Sequence, residues 1–278
     1  MPADGERFPG ERVVVTAFVI EHPRGVFLFD TGFSPEPRKM VDLYKPVYMR
    51  PIEEALRAAG HGITDVKLIA NCHFHADHAG GNRHFARTPI FVQKRELAHA
   101  RQENDYTHLP HVADFPGAAL EEIDGDAEPW AGIQIVPTPG HSPGHQSLVV
   151  DTKQGRVVLA GQALSFSSDY ARHQYSHELA LAGEPHATYP DWIARFHELD
   201  PVRVHFAHDR AIWERDVAES IRRRARPPHR RSRSWQSSDS AWSSPSSQDS
   251  SSMPLIAARR SGSFRRCRSP KRSAGGGR

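Results

Sequence analysis

The chain carries the stretch HFHADH at residues 73–78, which places three imidazoles and one carboxylate within six positions. These nitrogen and oxygen groups are ligands that zinc and similar divalent ions bind in proteins. A solvated, histidine-rich turn is the simpler alternative, but few structural segments hold ionisable groups at this density. The stretch therefore predicts a metal site, around which the fold is organised.

The sequence on either side predicts that these ligands lie on a loop at the end of a strand. The apolar run VKLIA at 66–70 is typical of a buried strand, and AGGN at 79–82 permits a tight turn. Open α/β sheets commonly bind ligands at the carboxyl ends of their strands. On such a loop the first two histidines can point one way while Asp77 and His78 point another, which favours two neighbouring metal positions over one closed cage.

A second histidine-rich segment, PTPGHSPGH at 137–145, follows the predicted strand at 133–136. Its prolines and glycines restrict the backbone, so His141 is predicted to be a rigidly placed metal ligand. His145 directly precedes another predicted strand, at 147–150. We interpret His145 as a supporting or structural residue that does not bind the metal itself.

Two further strand ends add polar side chains to the same edge. Asp30 follows the predicted strand at 26–29 and can hydrogen-bond a ligand histidine, although it could instead cap a turn. His208 and Asp209 follow the predicted strand at 202–206. We therefore expect the candidate metal ligands and the residues that support them to lie along one rim of the sheet.

The charge of the chain is divided unevenly. Residues 1–220 contain 21 Lys and Arg against 31 Asp and Glu, a net charge of −10, while residues 221–278 contain 15 against 2, a net charge of +13. The last 58 residues include 16 serines and 14 arginines and lack apolar periodicity. We predict a folded domain at 1–220 and a disordered tail at 221–278. If the chain binds nucleic acid or another polyanion, we expect it to do so through this basic tail, but we favour a solvated tail without selected function.

Cysteine content and hydropathy indicate the compartment. The chain has two cysteines, Cys72 and Cys267, which cannot build a disulfide framework, so a reducing cytoplasm is expected. The N-terminus shows no leader pattern, and no apolar run approaches the roughly eighteen residues of a membrane span. We therefore expect an unexported protein with no membrane partner.

Four motifs resemble those of the metallo-β-lactamase superfamily: FDTG at 29–32, HFHADH at 73–78, PTPGHSPGH at 137–145 and AHD at 207–209. Within that superfamily, the stretches at 20–33, 75–82 and 91–100 most resemble the N-acyl homoserine lactonases. The resemblance extends over roughly residues 13–215. It implies an α/β (α+β) fold, namely a four-layer αββα sandwich with the metals at one edge of the paired sheets.

The resemblance also implies a set of ligands. The first metal would be held by His73, His75 and His141, and the second by Asp77, His78 and His208. The implied cofactor is Zn2+, as one or two ions, with Fe, Mn or Co as alternatives. Asp77 would also orient the attacking hydroxide, while Asp30 and Asp209 would fix histidine tautomers from behind.

The implied activity is metal-dependent hydrolysis of a lactone ring, as in quorum quenching. A hydroxide held by the metal would attack the carbonyl of a small N-acyl homoserine lactone-like or similar acyl substrate. The alternatives are thioester or β-lactam hydrolysis, persulfide oxidation, or a catalytically impaired metal-binding relative. A homodimer is one assembly that the resemblance allows.

Two positions depart from the family pattern. Gln162 stands where the family usually has a bridging Asp, and a neutral amide cannot balance two dications as a carboxylate does. Ser165 stands where lactonases often have a Tyr. Phe166 and Tyr170, which follow Ser165, are therefore candidate substrate contacts. Tyr106, in an irregular loop, is a third candidate.

Overall fold

The computed structural model describes residues 14–34, 42, 45–46, 48–102, 110–215 and 255–257. These residues form two six-stranded sheets. In chain order the strands are β1 (Phe18–His22), β2 (Gly25–Phe29), β3 (Val66–Ala70), β4 (Pro89–Gln93), β5 (Ala119–Ile123), β6 (Ala127–Trp130), β7 (Ile133–Pro137), β8 (Gln146–Thr152), β9 (Gly155–Leu159), β10 (Arg203–His205), β11 (Trp213–Glu214) and β12 (Leu255–Ala257). The first sheet has the order β12-β1-β2-β3-β4-β5 and the second β11-β10-β9-β8-β7-β6.

Strand direction brings several carboxyl ends to one edge. In the first sheet β2, β3, β4 and β5 pair in parallel, and in the second sheet β9 pairs in parallel with β10. Strand β7 is antiparallel to β8, which is antiparallel to β9, so β7 runs in the same direction as β9. The segments that follow β7, β9 and β10 therefore leave the second sheet on one side.

The two sheets pack face to face through alternate residues of their strands. In β2 the side chains of Phe27 and Phe29 lie in the core between the sheets, while Leu28 faces the outer side. This alternation follows from the two-residue period of an extended chain. Ile135 of β7 and Leu148 of β8 join the same core from the second sheet.

Helices cover both outer faces. They are α1 (Ile52–Ala58), α2 (Ala76–Ala79), α3 (Lys94–Arg101), α4 (Pro110–Ala113), α5 (Ser167–Leu181) and α6 (Trp192–Leu199). Leu56 of α1 packs in a buried cluster with Leu28 on the first sheet, and Phe196 of α6 packs with Val158 on the second. The four-layer αββα sandwich implied by the sequence is confirmed.

Little of the predicted tail belongs to the described part of the chain. Only Leu255–Ala257 of residues 221–278 is described, and these three residues pair antiparallel with β1. The division at residue 220 and the disorder of the remaining tail stay predictions. Within the described ranges, every helix is too short or too polar to span a bilayer.

Replacing Leu148 by Ala tests the core between the sheets. The side chain is fully buried there, so Leu148→Ala should lower the free energy of unfolding by about 2–5 kcal/mol through lost burial and a cavity. The same change at Leu181, which is 66% exposed, should alter it by no more than about 0.5 kcal/mol. Urea unfolding of both variants measures the difference, and equal effects would contradict the packing described here.

Candidate metal centre

Four groups of possible metal-ligand side chains lie together among the described residues, and two of them contain no cysteine. The first ligand group consists of His73, His75 and His141. The second ligand group consists of Asp77, His78 and His208. Within each group, the ligand atoms all lie within 4.8 Å of one another. The structure thus brings together all six residues that the resemblance implies as ligands, in the two sets that it implies.

The local backbone explains why one short stretch serves both groups. His75 is extended (φ −70°, ψ 155°), and alternate residues of an extended chain point in the same direction, so His73 and His75 face together. The chain then turns into α2, where the N–H groups of His78 and Ala79 donate to the carbonyl of His75. This helical turn directs Asp77 and His78 to the second ligand group.

The second ligand group has the spacing of a tetrahedral metal site. The Oδ2 atom of Asp77 lies 3.4 Å from Nε2 of His78 and 3.4 Å from Nε2 of His208, and the two nitrogens are 3.3 Å apart. Bonds of about 2.0–2.1 Å to a tetrahedral zinc ion separate the ligand atoms by about 3.3–3.4 Å. These three side chains therefore fit a divalent ion without rearrangement.

The first ligand group contains a buried nitrogen without a partner. Nε2 of His73 is buried and makes no hydrogen bond, although buried polar atoms in proteins almost always have one. Burial, followed by the neighbouring histidines, holds the pKa of His73 well below its usual range, so its ring is neutral. Nδ1 of His75 and Nε2 of His141 approach to 3.1 Å nearby. A neutral imidazole with a free lone pair can bind a metal ion, and the two imidazoles beside it complete a set of three nitrogen ligands.

Hydrogen bonds from behind fix two ligand rings of the second group. Nδ1–H of His78 donates to Oδ2 of Asp30 over 3.0 Å, and Nδ1–H of His208 donates to the carbonyl of Val14 over 2.8 Å. Each bond leaves Nε2 of the ring for the ligand group. Burial lowers the pKa of His78, but the carboxylates of Asp77 and Asp30 outweigh it and raise the pKa to about 9. Without an ion the ring is therefore protonated at neutral pH, and binding of an ion through Nε2 would displace that proton.

Asp30 is itself held firmly in place. Its backbone has a φ of 64°, a left-handed conformation that Asp tolerates better than most residues. Its second oxygen, Oδ1, accepts the N–H of Cys72 over 2.7 Å. Asp30 therefore lies directly behind His78 and holds its ring.

His145 is engaged through both ring nitrogens. Nε2 accepts the N–H of Gln162 over 3.1 Å, so the proton lies on Nδ1, which is 2.8 Å from Oγ1 of Thr138. Thr138 in turn donates to Ser147, whose hydroxyl donates to the carbonyl of Ala160. Because no lone pair of His145 is left for a metal, the supporting role expected from the sequence fits its surroundings.

Gln162 faces the second ligand group. Its Oε1 atom lies 3.2 Å from Nε2 of His78, and the side chain is buried. The preceding Gly161 has a φ of +57°, and a Cβ at this position would lie 2.4 Å from Cβ of Cys72. This close approach fixes the turn that aims Gln162 at the ligands, but its amide brings no negative charge.

The role predicted for Asp209 is wrong. Its carboxylate accepts the N–H and the hydroxyl of Ser167 through Oδ2 and the N–H of Ala211 through Oδ1. Asp209 therefore caps the first turn of α5, because a side-chain acceptor satisfies the free N–H groups of a helix end. The carbonyl of Val14, which no sequence pattern indicates, orients His208 instead.

The candidate substrate contacts fall in different places. Tyr170 is fully buried in the outer core, where its ring contacts Phe206 and Trp213, so the prediction that it contacts the substrate is wrong. Phe166 is half-buried at the N-cap of α5, four residues after Gln162. Tyr106 lies outside the described residues.

Cys72 is a neighbour of the ligands that the sequence analysis does not single out. Its sulfur lies 3.1 Å from Nδ1 of His73 and 3.3 Å from Nδ1 of His78. Burial, followed by the charge of Asp30, raises the pKa of the thiol well above its usual range. A neutral sulfur can accept the Nδ1–H of His73, which leaves Nε2 of that ring unprotonated. The position of Cys72 directly before HFHADH was the sequence signal for this contact.

Comparison with known proteins places these features in a family. The sequence profile described as the metallo-beta-lactamase superfamily matches residues 10–234. An N-acyl homoserine lactonase from Bacillus cereus is 30% identical over 210 residues, which cover 70% of this chain and 81% of the relative. N-acyl homoserine lactonase AiiA from Bacillus thuringiensis subsp. kurstaki is 32% identical over 183 residues, which cover 61% and 69%.

Solved structures agree with these relatives. The crystal structure of a quorum-quenching N-acyl homoserine lactone lactonase matches with a TM-score of 0.57 and 29% identity, covering 74% of this chain and 85% of that one. An N-acyl homoserine lactone hydrolase with N-hexanoyl-L-homoserine bound at its catalytic metal centre matches with a TM-score of 0.57 and 27% identity, covering 77% and 87%.

Variants of the two histidines in the 137–145 segment test which of them binds the metal and which supports the structure around it. His141→Ala should remove one metal ion per chain, because it deletes a member of the first ligand group. His145→Leu should keep the full metal content but lower the free energy of unfolding by about 1–3 kcal/mol for each buried group left unpaired. Elemental analysis and urea unfolding measure these effects. The reverse pattern, with metal lost only from His145→Leu, would contradict the assignment.

Proposed function

Because the chain belongs to the metallo-β-lactamase superfamily, we propose that it is a metal-dependent hydrolase that opens the ring of an N-acyl homoserine lactone. The observation that carries this proposal is the pair of complete, converging ligand groups at the rim between the sheets. The curated relatives and the solved structures that share this fold are named for the same reaction, which supports the choice of substrate.

We propose zinc as the metal, with His73, His75 and His141 holding one ion and Asp77, His78 and His208 the other. Five imidazoles and one carboxylate suit zinc, and they also suit Fe, Mn or Co. The chemistry that such ions supply when bound is polarisation of the substrate carbonyl and a lowered pKa for a water molecule.

Asp77 is the side chain best placed to direct the attacking water. Burial raises the pKa of Asp77, but the charges of His78, His208 and His75 outweigh it and hold the pKa below its usual range. The carboxylate is therefore ionised at neutral pH, and it can accept a hydrogen bond from the water and turn the oxygen lone pair toward the carbonyl. Asp77 thus serves both as a ligand and as an orienting group.

Gln162 determines how much charge surrounds the second ion. With an amide at this position, Asp77 is the one carboxylate of the second ligand group, and Asp30 lies behind His78. These residues would hold a dication with fewer negative groups and therefore less tightly, and an ion held in this way would keep more of its charge to stabilise the leaving oxygen of the lactone. Weak binding of the second ion and a functional centre are therefore compatible.

The cellular location and the assembly of the protein remain predictions from the sequence. The cytoplasmic location stays a prediction from the cysteine content, and the homodimer stays a prediction from the resemblance. Among the described residues, Cys72 is a free, buried cysteine. The small-molecule lactone is the partner that the centre supports.

Lactone opening by the full chain tests the proposed reaction. N-hexanoyl homoserine lactone should be hydrolysed with release of one proton per ring, which a pH indicator in weak buffer follows. Removal of metal by a chelator should abolish the reaction, and added zinc should restore it. Asp77→Asn should lower kcat by at least about 100-fold, because general base and orienting groups typically contribute this much.

The alternative reactions define the result that would contradict this proposal. A metal-loaded chain that leaves the lactone intact but hydrolyses a thioester or a β-lactam would agree with the family assignment but contradict the proposed substrate. A metal-loaded chain inactive on all three would indicate a catalytically impaired relative.

Replacing Gln162 by Asp tests the charge at the second ligand group. Gln162→Asp should tighten binding of one ion by about tenfold or more, since a carboxylate would face the ligands in place of an amide. Gln162→Asn has the shape of Asp without its charge and should not tighten binding. Competition with a chelator measures both affinities. Equal affinities in the two variants would contradict the placement of Gln162, and activity confined to Gln162→Asp would show that the natural chain is impaired.

A further inference from the structure

Glu96 is a fully buried carboxylate that lies outside both ligand groups. It stands in the first turn of α3 and has no solvent exposure. Its Oε1 accepts the N–H of Phe74 over 2.8 Å. Its Oε2 accepts the hydroxyl of Ser142 over 2.6 Å and the N–H of Gly144 over 3.1 Å.

These three donors belong to the two segments that form the first ligand group. Phe74 lies between His73 and His75 in the chain, and Ser142 directly follows His141. A single carboxylate therefore joins the segment after β3, in the first sheet, to the segment after β7, in the second. Hydrogen bonds to a buried ionised group are short and strong, and they compensate the large cost of burying the charge.

The packing around Gly144 leaves this connection little freedom. A Cβ at Gly144 would lie 2.2 Å from the backbone nitrogen of Glu96 and 2.6 Å from its Cα atom. The backbone of the 137–145 segment thus lies directly against the first turn of α3. Only glycine permits this approach without displacing the segment and, with it, His141.

The second ligand group is anchored by other contacts. His78 is held by Asp30, and His208 is held by the carbonyl of Val14. Neither contact passes through α3 or through the 137–145 segment. The hydrogen bonds of Glu96 therefore support the segments that carry the first ligand group, whereas Asp30 and the carbonyl of Val14 hold two rings of the second.

We propose that Glu96 is the positioning residue of the first ligand group and that it controls the affinity for one metal ion of the pair. It does so by fixing the distance between His141 and the two histidines of the 73–75 segment. This inference rests on the proposed dinuclear centre. The hydrogen bonds of Glu96 to Phe74, Ser142 and Gly144 act through the segments that carry the ligands.

Glu96→Gln is the direct test, because it keeps the shape but turns an amide NH2 toward groups that donate. Zinc titration of the metal-free full chain against a competing chelator should show the first ion bound about 10- to 100-fold more weakly, the range expected for a supporting residue. The second ion should change by less than about twofold, since its supports are intact. The melting temperature of the metal-free variant reports any general loss of stability.

A double variant shows whether Glu96 acts through His141. In Glu96→Gln/His141→Ala the loss of affinity should be no larger than in His141→Ala alone, because residues that act through one another are not additive. His177→Ala is the matched control. That side chain is buried, hydrogen-bonds Tyr189 and contacts His197 in the outer helical layer, so its loss should reduce stability without affecting zinc affinity.

Ser142→Ala provides a milder variant if Glu96→Gln does not fold. It removes one of the three donors and should weaken the first ion alone. Equal weakening of both ions, or unchanged affinity for both, would overturn the role of Glu96. If the unaltered chain binds fewer than two ions, the dinuclear proposal fails, while comparison with His141→Ala still tests Glu96 on the remaining ion.

Discussion

The structure depends on holding two segments from opposite sheets against each other at one rim. The segment after β3 carries four of the six ligands, whereas His141 comes from the segment after β7. Besides Glu96, Gln146 joins these parts of the chain, because its backbone N–H donates to the carbonyl of Cys72 and its side chain donates to the carbonyl of Asn71, each over 2.8 Å. These hydrogen bonds are buried, so leaving any of their groups unpaired would cost about 1–3 kcal/mol. The fold therefore specifies the spacing of the ligands before any ion binds.

Two buried carboxylates at this rim each have several hydrogen-bond partners. Asp30 accepts from a backbone N–H and from His78, and Glu96 accepts from three donors. The first ligand group, by contrast, contains no carboxylate and leaves Nε2 of His73 without a partner. Because binding of an ion would satisfy that nitrogen in the folded chain only, metal binding is expected to contribute to the free energy of folding. Stability and chemistry are thus coupled through the same side chains.

Much of this arrangement could be predicted from the sequence, because ligand types, strand patterns and turn residues are local signals. Asp30 and HFHADH follow the parallel strands β2 and β3, and His141 follows β7 of the other sheet, so all three lie at strand ends that meet at one rim. The remainder depends on contacts between distant parts of the chain. Asp209 follows a strand as the ligands do, yet it caps α5 because Ser167 happens to lie beside it. Tyr170 is apolar enough to join the outer core, and Glu96 is indistinguishable in sequence from a solvated helical residue.

Anomalous diffraction from crystals of the zinc-loaded full chain, recorded at the zinc absorption edge, tests the central claim most directly. The account predicts two peaks per chain, one among His73, His75 and His141 and the other among Asp77, His78 and His208, with the second peak lower because Gln162 supplies no charge. A single peak held by members of both groups, or a peak between Cys72 and His145, would contradict it.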